Sequence, residues 1–118
     1  MQDHSQLYPF LNDITKRWTF PVIQSLTRKE PARFNELKKR IHGISATSLA
    51  ERLSDFQKKG IVERMAYPEI PPRVEYILTA KGWEFSNLLS EFEQWAAKWE
   101  KENHPGPSDT SSATLLLN

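Results

Sequence analysis

A run of side chains in the middle of this chain could recognise phosphates and base edges, a binding chemistry and not a reaction. Ser45, Thr47, Ser48, Glu51 and Arg52 lie close together. A Ser or Thr hydroxyl pairs with several bases, and a Glu carboxylate accepts from cytosine N4. Arg52 is expected either to reach a base or phosphate, or to pair internally with an acid such as Glu36. Lys38 and Lys39 precede the run and are phosphate candidates. Arg64 and Arg73 come after it, suited to following phosphates or entering a minor groove. Each cation taken singly is also an ordinary solvated charge.

Reaction chemistry finds little support. There are no cysteines, which excludes disulfides, thiolate zinc sites and thiol redox sensing by this chain. His4, His42 and His104 stand far apart without metal-ligand spacing. Nothing resembles a Gly-rich phosphate loop or a nucleophile elbow. No catalytic residue, metal or cofactor is expected, and the chain does not read as an enzyme.

The elements that must hold these residues are legible in order. Phe34, Leu37 and Ile41 give a helix over 34–41 one buried side. The turn 42–44 follows, with Gly43 placed to end the helix in a left-handed conformation. Ser45 caps a second helix over 45–59, whose apolar side is Ile44, Leu49, Leu53 and Phe56. Ala46, Thr47, Ala50, Glu51, Ser54 and Asp55 are left facing out, and Gly60 ends the helix. Alternating residues predict strands over 61–67 and 73–79, joined by a tip stiffened by Pro68, Pro71 and Pro72. Ala32 and Arg33 could add a very short strand to that hairpin. A helix-turn-helix followed by a β-wing places one helix in the DNA major groove.

The flanks predict further helices. Ile14, Trp18, Val22 and Leu26 mark a helix over 12–27, with Trp18 in the core. Pro21 predicts either a kink near Arg17–Trp18 or a restart capped by Thr19. Thr79 caps a long helix over 80–102, carrying Phe85, Leu88, Leu89, Phe92, Trp95 and Trp99 at about 3.5-residue spacing. One small domain has little core to cover that stripe, so these residues are expected to form a dimer interface, the alternative being that the first helix covers them within the monomer. A small-molecule effector pocket lined by Trp18, Tyr76, Trp83 or Trp95 is the alternative use of the aromatic residues. Residues 1–104 read as one domain, and 105–118 as a disordered Pro/Gly/Ser/Thr-rich tail.

Charge fits this reading. The net charge is +1 over 118 residues. Residues 15–82 hold 14 Lys/Arg against 7 Asp/Glu, while 83–118 hold 2 against 6. A basic body with acidic ends suits a domain that touches phosphate with one face. No apolar run approaches the roughly 20 residues of a membrane span, and the first ten residues have no export-signal pattern. A cytoplasmic location is expected.

Several motifs resemble the HxlR-type winged-helix transcription regulators, which are related to the MarR group. They include Lys16-Arg17-Trp18-Thr19, Arg33-Phe34-Asn35-Glu36-Leu37, Gly43-Ile44-Ser45 and the run from Leu49 through Leu53. Gly60-Ile61-Val62-Glu63-Arg64, Tyr67-Pro68-Glu69, Leu78-Thr79 and Lys81-Gly82 also fit. The nearest likeness is Pro71-Pro72-Arg73-Val74-Glu75-Tyr76. The resemblance covers about residues 15–95. It implies a prokaryotic homodimeric DNA-binding regulator with terminal helices forming the dimer. Family members commonly carry a sensing cysteine ahead of the first helix; this chain has none, so that mode of sensing does not carry over. Pro21 also departs from the apolar residue preferred there.

The expected fold is α+β and mostly α, a winged helix-turn-helix with N- and C-terminal dimerisation helices. The expected function is sequence-specific binding of double-stranded DNA at a pseudo-palindromic operator, as a homodimer. Helix 45–59 would enter the major groove, and wing 61–79 would touch flanking backbone or minor groove. Arg73→Ala would then weaken binding to every sequence and flatten its salt dependence. The rival reading is a winged-helix protein-interaction module that does not bind DNA.

Overall fold

The computed structural model describes residues 5–103. Helices α1 (Leu7–Ile14) and α2 (Thr19–Ser25) lead into a two-residue strand β1 (Ala32–Arg33). Helices α3 (Phe34–Arg40) and α4 (Ala46–Lys58) follow, then strands β2 (Val62–Tyr67) and β3 (Arg73–Leu78), and a long helix α5 (Ala80–Asn103). The sheet is antiparallel in the order β1-β3-β2, with Ala32 opposite Tyr76 and Val62 opposite Leu78. The short strand expected at Ala32–Arg33 is therefore present and completes the hairpin. The chain divides into two compact units, one ending at Ser86 and one starting at Asn87. The tail expected over 105–118 lies outside the described residues.

The single helix expected over 12–27 is two helices. The first starts earlier, at Leu7, because Leu7, Phe10, Leu11 and Ile14 carry a helical period of their own. The chain then breaks, and Trp18 takes a left-handed backbone with φ 76°. Bulky residues rarely adopt this region. Helix α2 restarts at Thr19, and Val22 N–H donates the first helical bond to the Trp18 carbonyl at 3.0 Å. Pro21 thus sits in the first turn, where the missing N–H would have had no helical acceptor. Thr19 is not the cap: it lies inside the helix, buried, with its hydroxyl unpaired. Trp18 is half-buried at the break and is not part of the core stripe.

The core of the first unit is built from Val22, Ile23 and Leu26 of α2, Leu37 of α3, and Leu49, Leu53 and Phe56 of α4. Ile41, Ile44, Ile61, Val62 and Leu78 close it. Helix α3 ends one residue earlier than expected, with Ile41 extended, and Gly43 (φ 83°) turns the link to α4. Gly60 (φ 73°) ends α4 in a Schellman motif: its N–H donates to Gln57 and that of Ile61 donates to Phe56 at 2.8 Å. Thr79 caps α5 as expected, its hydroxyl accepting from Gly82 N–H at 3.0 Å. A side chain at Gly82 would collide with the Ile61 carbonyl oxygen, so α5 begins in backbone contact with the root of the wing.

Candidate nucleic-acid interface

Helix α4 is anchored on one face and open on the other. Ser45 accepts from Ser48 N–H at 3.0 Å and fixes the start of the helix. Leu49, Leu53 and Phe56 are buried, so the helix cannot rotate about its axis without exposing core. Ala46, Thr47, Ala50, Glu51, Ser54 and Lys58 are exposed, with Ser48 half-buried. This outward face carries small groups and hydrogen-bonding groups close to the backbone. Such a face lets a helix approach base edges.

Arg52 does not belong to that face. It is 8% exposed, with Nη2 3.3 Å from Asp55 Oδ2 and Nη1 donating to the Asp13 carbonyl at 3.3 Å. Its guanidinium also lies over the Phe56 ring at 5.5 Å. Of the two expectations for Arg52, the internal pair is observed, but the partner is Asp55 and not Glu36. Glu36 instead accepts from Arg33 N–H at 2.8 Å and steadies the start of α3. Asp55, expected to face out, is half-buried because it serves both Arg52 and Lys59.

Lys59 extends this network to α1. Its Nζ lies 2.6 Å from Asp55 Oδ1 and 3.5 Å from Asp13 Oδ2. Asp13 also pairs with Lys16 at 3.5 Å. Burial alone would raise the Asp13 pKa, but Lys59 and Lys16 together hold it below the usual carboxylate value. The hydrogen bond to Asp55 outweighs the cost of burial and holds Lys59 above its ordinary value. Asp13, with no signal beyond its charge in the sequence, thus ties the end of α1 to the inner side of α4.

The remaining cations divide into free and engaged. Among the described residues, Lys38 and Lys39 on α3 and Arg64 on β2 are exposed and carry no ion pair. Arg73 is engaged: Nη2 lies 3.0 Å from Glu69, Nε 3.9 Å from Glu75, and the guanidinium covers the Tyr67 ring at 4.1 Å. The register pairs Arg64 with Tyr76 and Arg73 with Tyr67. Strand alternation therefore puts Arg64 and Arg73 on opposite faces of the wing, a separation that the sequence reading did not draw.

The aromatic stripe of α5 is described within its own unit from Asn87 onward. Leu88 is 63% and Trp95 58% exposed, and Phe92 and Trp99 are also open. Phe92 and Trp95 stack with centroids 5.8 Å apart. Phe85, in the first unit, and Leu89 are half-buried. Trp18 lines a cleft of about 390 Å³ with Pro21, Gln24, Arg28, Arg40 and His42, and neither Tyr76 nor Trp83 lines it.

The order of elements, the capped helix with an open polar face and the three-stranded wing define a winged helix-turn-helix protein. An HxlR-like helix-turn-helix family model matches residues 13–104, and the chain belongs to that family of transcriptional regulators, which are not enzymes. It is 36% identical over 88 residues to an uncharacterized HTH-type transcriptional regulator of Halalkalibacterium halodurans, covering 75% of this chain and 78% of the relative. It is 41% identical over 81 residues to the HTH-type transcriptional regulator YodB of Bacillus subtilis, covering 69% and 71%. The crystal structure of diamide-treated YodB superposes with a TM-score of 0.68 at 34% identity, over 83% of this chain and 96% of that one. A MarR-family regulator from Enterococcus faecalis superposes with a TM-score of 0.72 at 28% identity, over 86% and 92%.

Proposed function

We propose that this regulator binds double-stranded DNA sequence-specifically as a homodimer, with α4 in the major groove and the wing against flanking DNA. The observation that carries this reading is the two-sided α4: one face locked into the core, the other open and lined by Thr47, Ala50, Glu51 and Ser54. Thr47, Ser48 and Glu51 are the base-edge candidates. Ser45 contributes by fixing the helix start, and Arg52 by bracing the helix from within. Lys38, Lys39 and Arg64 are free to neutralise phosphates. Arg73 would have to leave two carboxylates to do so, and its proposed part is to brace the wing.

The stripe Leu88, Phe92, Trp95 and Trp99 has the alternating four- and three-residue spacing of a helix that packs on another helix. A second copy is the proposed cover, and symmetry then asks for a pseudo-palindromic operator. Its half-sites should lie about 34–36 Å apart or a multiple of that. A DNA-binding role places the protein in the cytoplasm; no helix among the described residues is long and apolar enough to cross a membrane.

The test is selection of bound duplexes from random sequence, followed by gel shifts over a salt series. The expected outcome is a two-fold symmetric site whose affinity falls linearly with log salt. The exposed carboxylate of Glu51 on the open face favours the rival reading, a protein partner. Absence of salt-sensitive binding to any duplex would decide for that rival.

A further inference from the structure

Ile70, at the tip of the wing, is the most exposed large apolar side chain among the described residues, at 100%. It is held out by the loop's construction. Pro68 precedes it, Pro71 and Pro72 follow, and each fixes a backbone torsion. Glu69 N–H donates to the Tyr67 carbonyl at 2.8 Å and turns the chain just before it. At the loop base, Arg73 lies over Tyr67 and pairs with Glu69 at 3.0 Å, joining the two sides.

Charge narrows what could cover this side chain. Arg73 is the only cation between Tyr67 and Glu75, and Glu69 and Glu75 occupy it. The tip therefore offers no free arginine to a minor groove. The nearer pair, at 3.0 Å, offsets the charge of Glu69 at the tip, while the remaining charge of Glu75 lies back on β3. What it presents is a branched hydrocarbon on a stiff support, on the domain that carries the open face of α4 and the free Lys38, Lys39 and Arg64.

We infer that Ile70 is an apolar wedge that enters the minor groove beside the α4 site, parts a base step and bends the duplex. Isoleucine is among the side chains that unstack steps in this way. The inference rests on the DNA-binding reading above. It adds a specificity term, because pyrimidine–purine steps such as TA and CA part most easily. A preference for such a step should therefore appear in the flank, outside the bases read by α4.

The test uses the full chain and the selected duplex, with 2-aminopurine placed at successive flank steps and the bend measured by end-to-end energy transfer. The wild type should light one step in each of the two symmetric flanks and bend the DNA. Ile70→Ala should lose both signals and bind roughly ten- to fiftyfold more weakly, for the loss of three buried carbons. Its salt slope should not change, because no phosphate contact is lost, and Ile70→Leu should restore the bend. Lys38→Ala should do the reverse, flattening the slope and keeping the bend. Equal thermal melting of the variants excludes a folding effect. Salt-sensitive binding of straight, fully stacked DNA, or Ile70→Ala binding like the wild type, overturns the wedge and leaves the DNA-binding reading standing. Failure of the wild type to bind any duplex overturns both.

Discussion

Arg52 illustrates how one side chain changes meaning once its surroundings are known. Its place in α4 left a DNA contact and an internal pair both open, and it is a buried cation held by Asp55 and the Asp13 carbonyl. Removing one partner of a buried pair leaves the other uncompensated. Arg52→Ala should therefore lower unfolding stability by about 3–5 kcal/mol in urea titrations, and a duplex-binding salt slope should stay unchanged. The neighbouring Asp13 and Lys59 predict a pH profile. Asp13 has a lowered pKa, so its contribution is full above 3.8 and is lost as pH falls through its lower folded value. Lys59 has a raised pKa, so its contribution is full below 10.5 and is lost as pH rises through its higher folded value. Stability from this network should be flat from about pH 5 to about pH 9 and fall off on both sides. In Asp13→Asn the acid limb should shrink, which thermal melting across pH would detect.

At the level of elements, α4 and the wing divide the work in the proposed DNA complex. Substituting Thr47 or Glu51 should change which sequence is preferred while leaving the salt slope alone, as competition among operator variants would reveal. Lys38→Ala, Lys39→Ala and Arg64→Ala should each weaken binding to all sequences and reduce the slope by about 0.9. Arg73→Ala should weaken binding through a loosened wing with little change in slope. The elements themselves were largely legible in the sequence. The Ser45 cap, the Gly60 stop, the alternation in the two strands and the Thr79 cap are local signals, and local hydrogen bonds act on them directly. The two halves of the first helix were harder to see. Whether Pro21 kinks a helix or starts one depends on Trp18 adopting a left-handed backbone, and that depends on what packs around it. The status of Arg52 and Arg73 was illegible for a similar reason. The carboxylates they pair with are close in sequence, Asp55 for Arg52 and Glu69 for Arg73, but that spacing does not tell whether the pair forms; for Arg52 the contact from outside the helix is the backbone carbonyl of Asp13, 39 residues away.

For the whole molecule, the proposed dimer rests on the exposed face of α5. Trp95→Glu combined with Trp99→Glu should give a monomer by light scattering, and this monomer should bind a single half-site far more weakly than the dimer binds the full site. The N-terminal helix adds exposed Leu7, Tyr8 and Leu11, which the sequence reading overlooked and which are open to the same test. Gly82→Ala should be among the most damaging small changes in the chain, since backbone and not a flexible side chain stands in its way. That contact also limits how parts can move. The first turn of α5 meets the Ile61 carbonyl with no side chain between them, so the helix cannot slide along the root of the wing. Shear between packed elements needs a layer of side chains that can change rotamers, and here there is none. The start of α5 and the root of the wing therefore travel together as one piece.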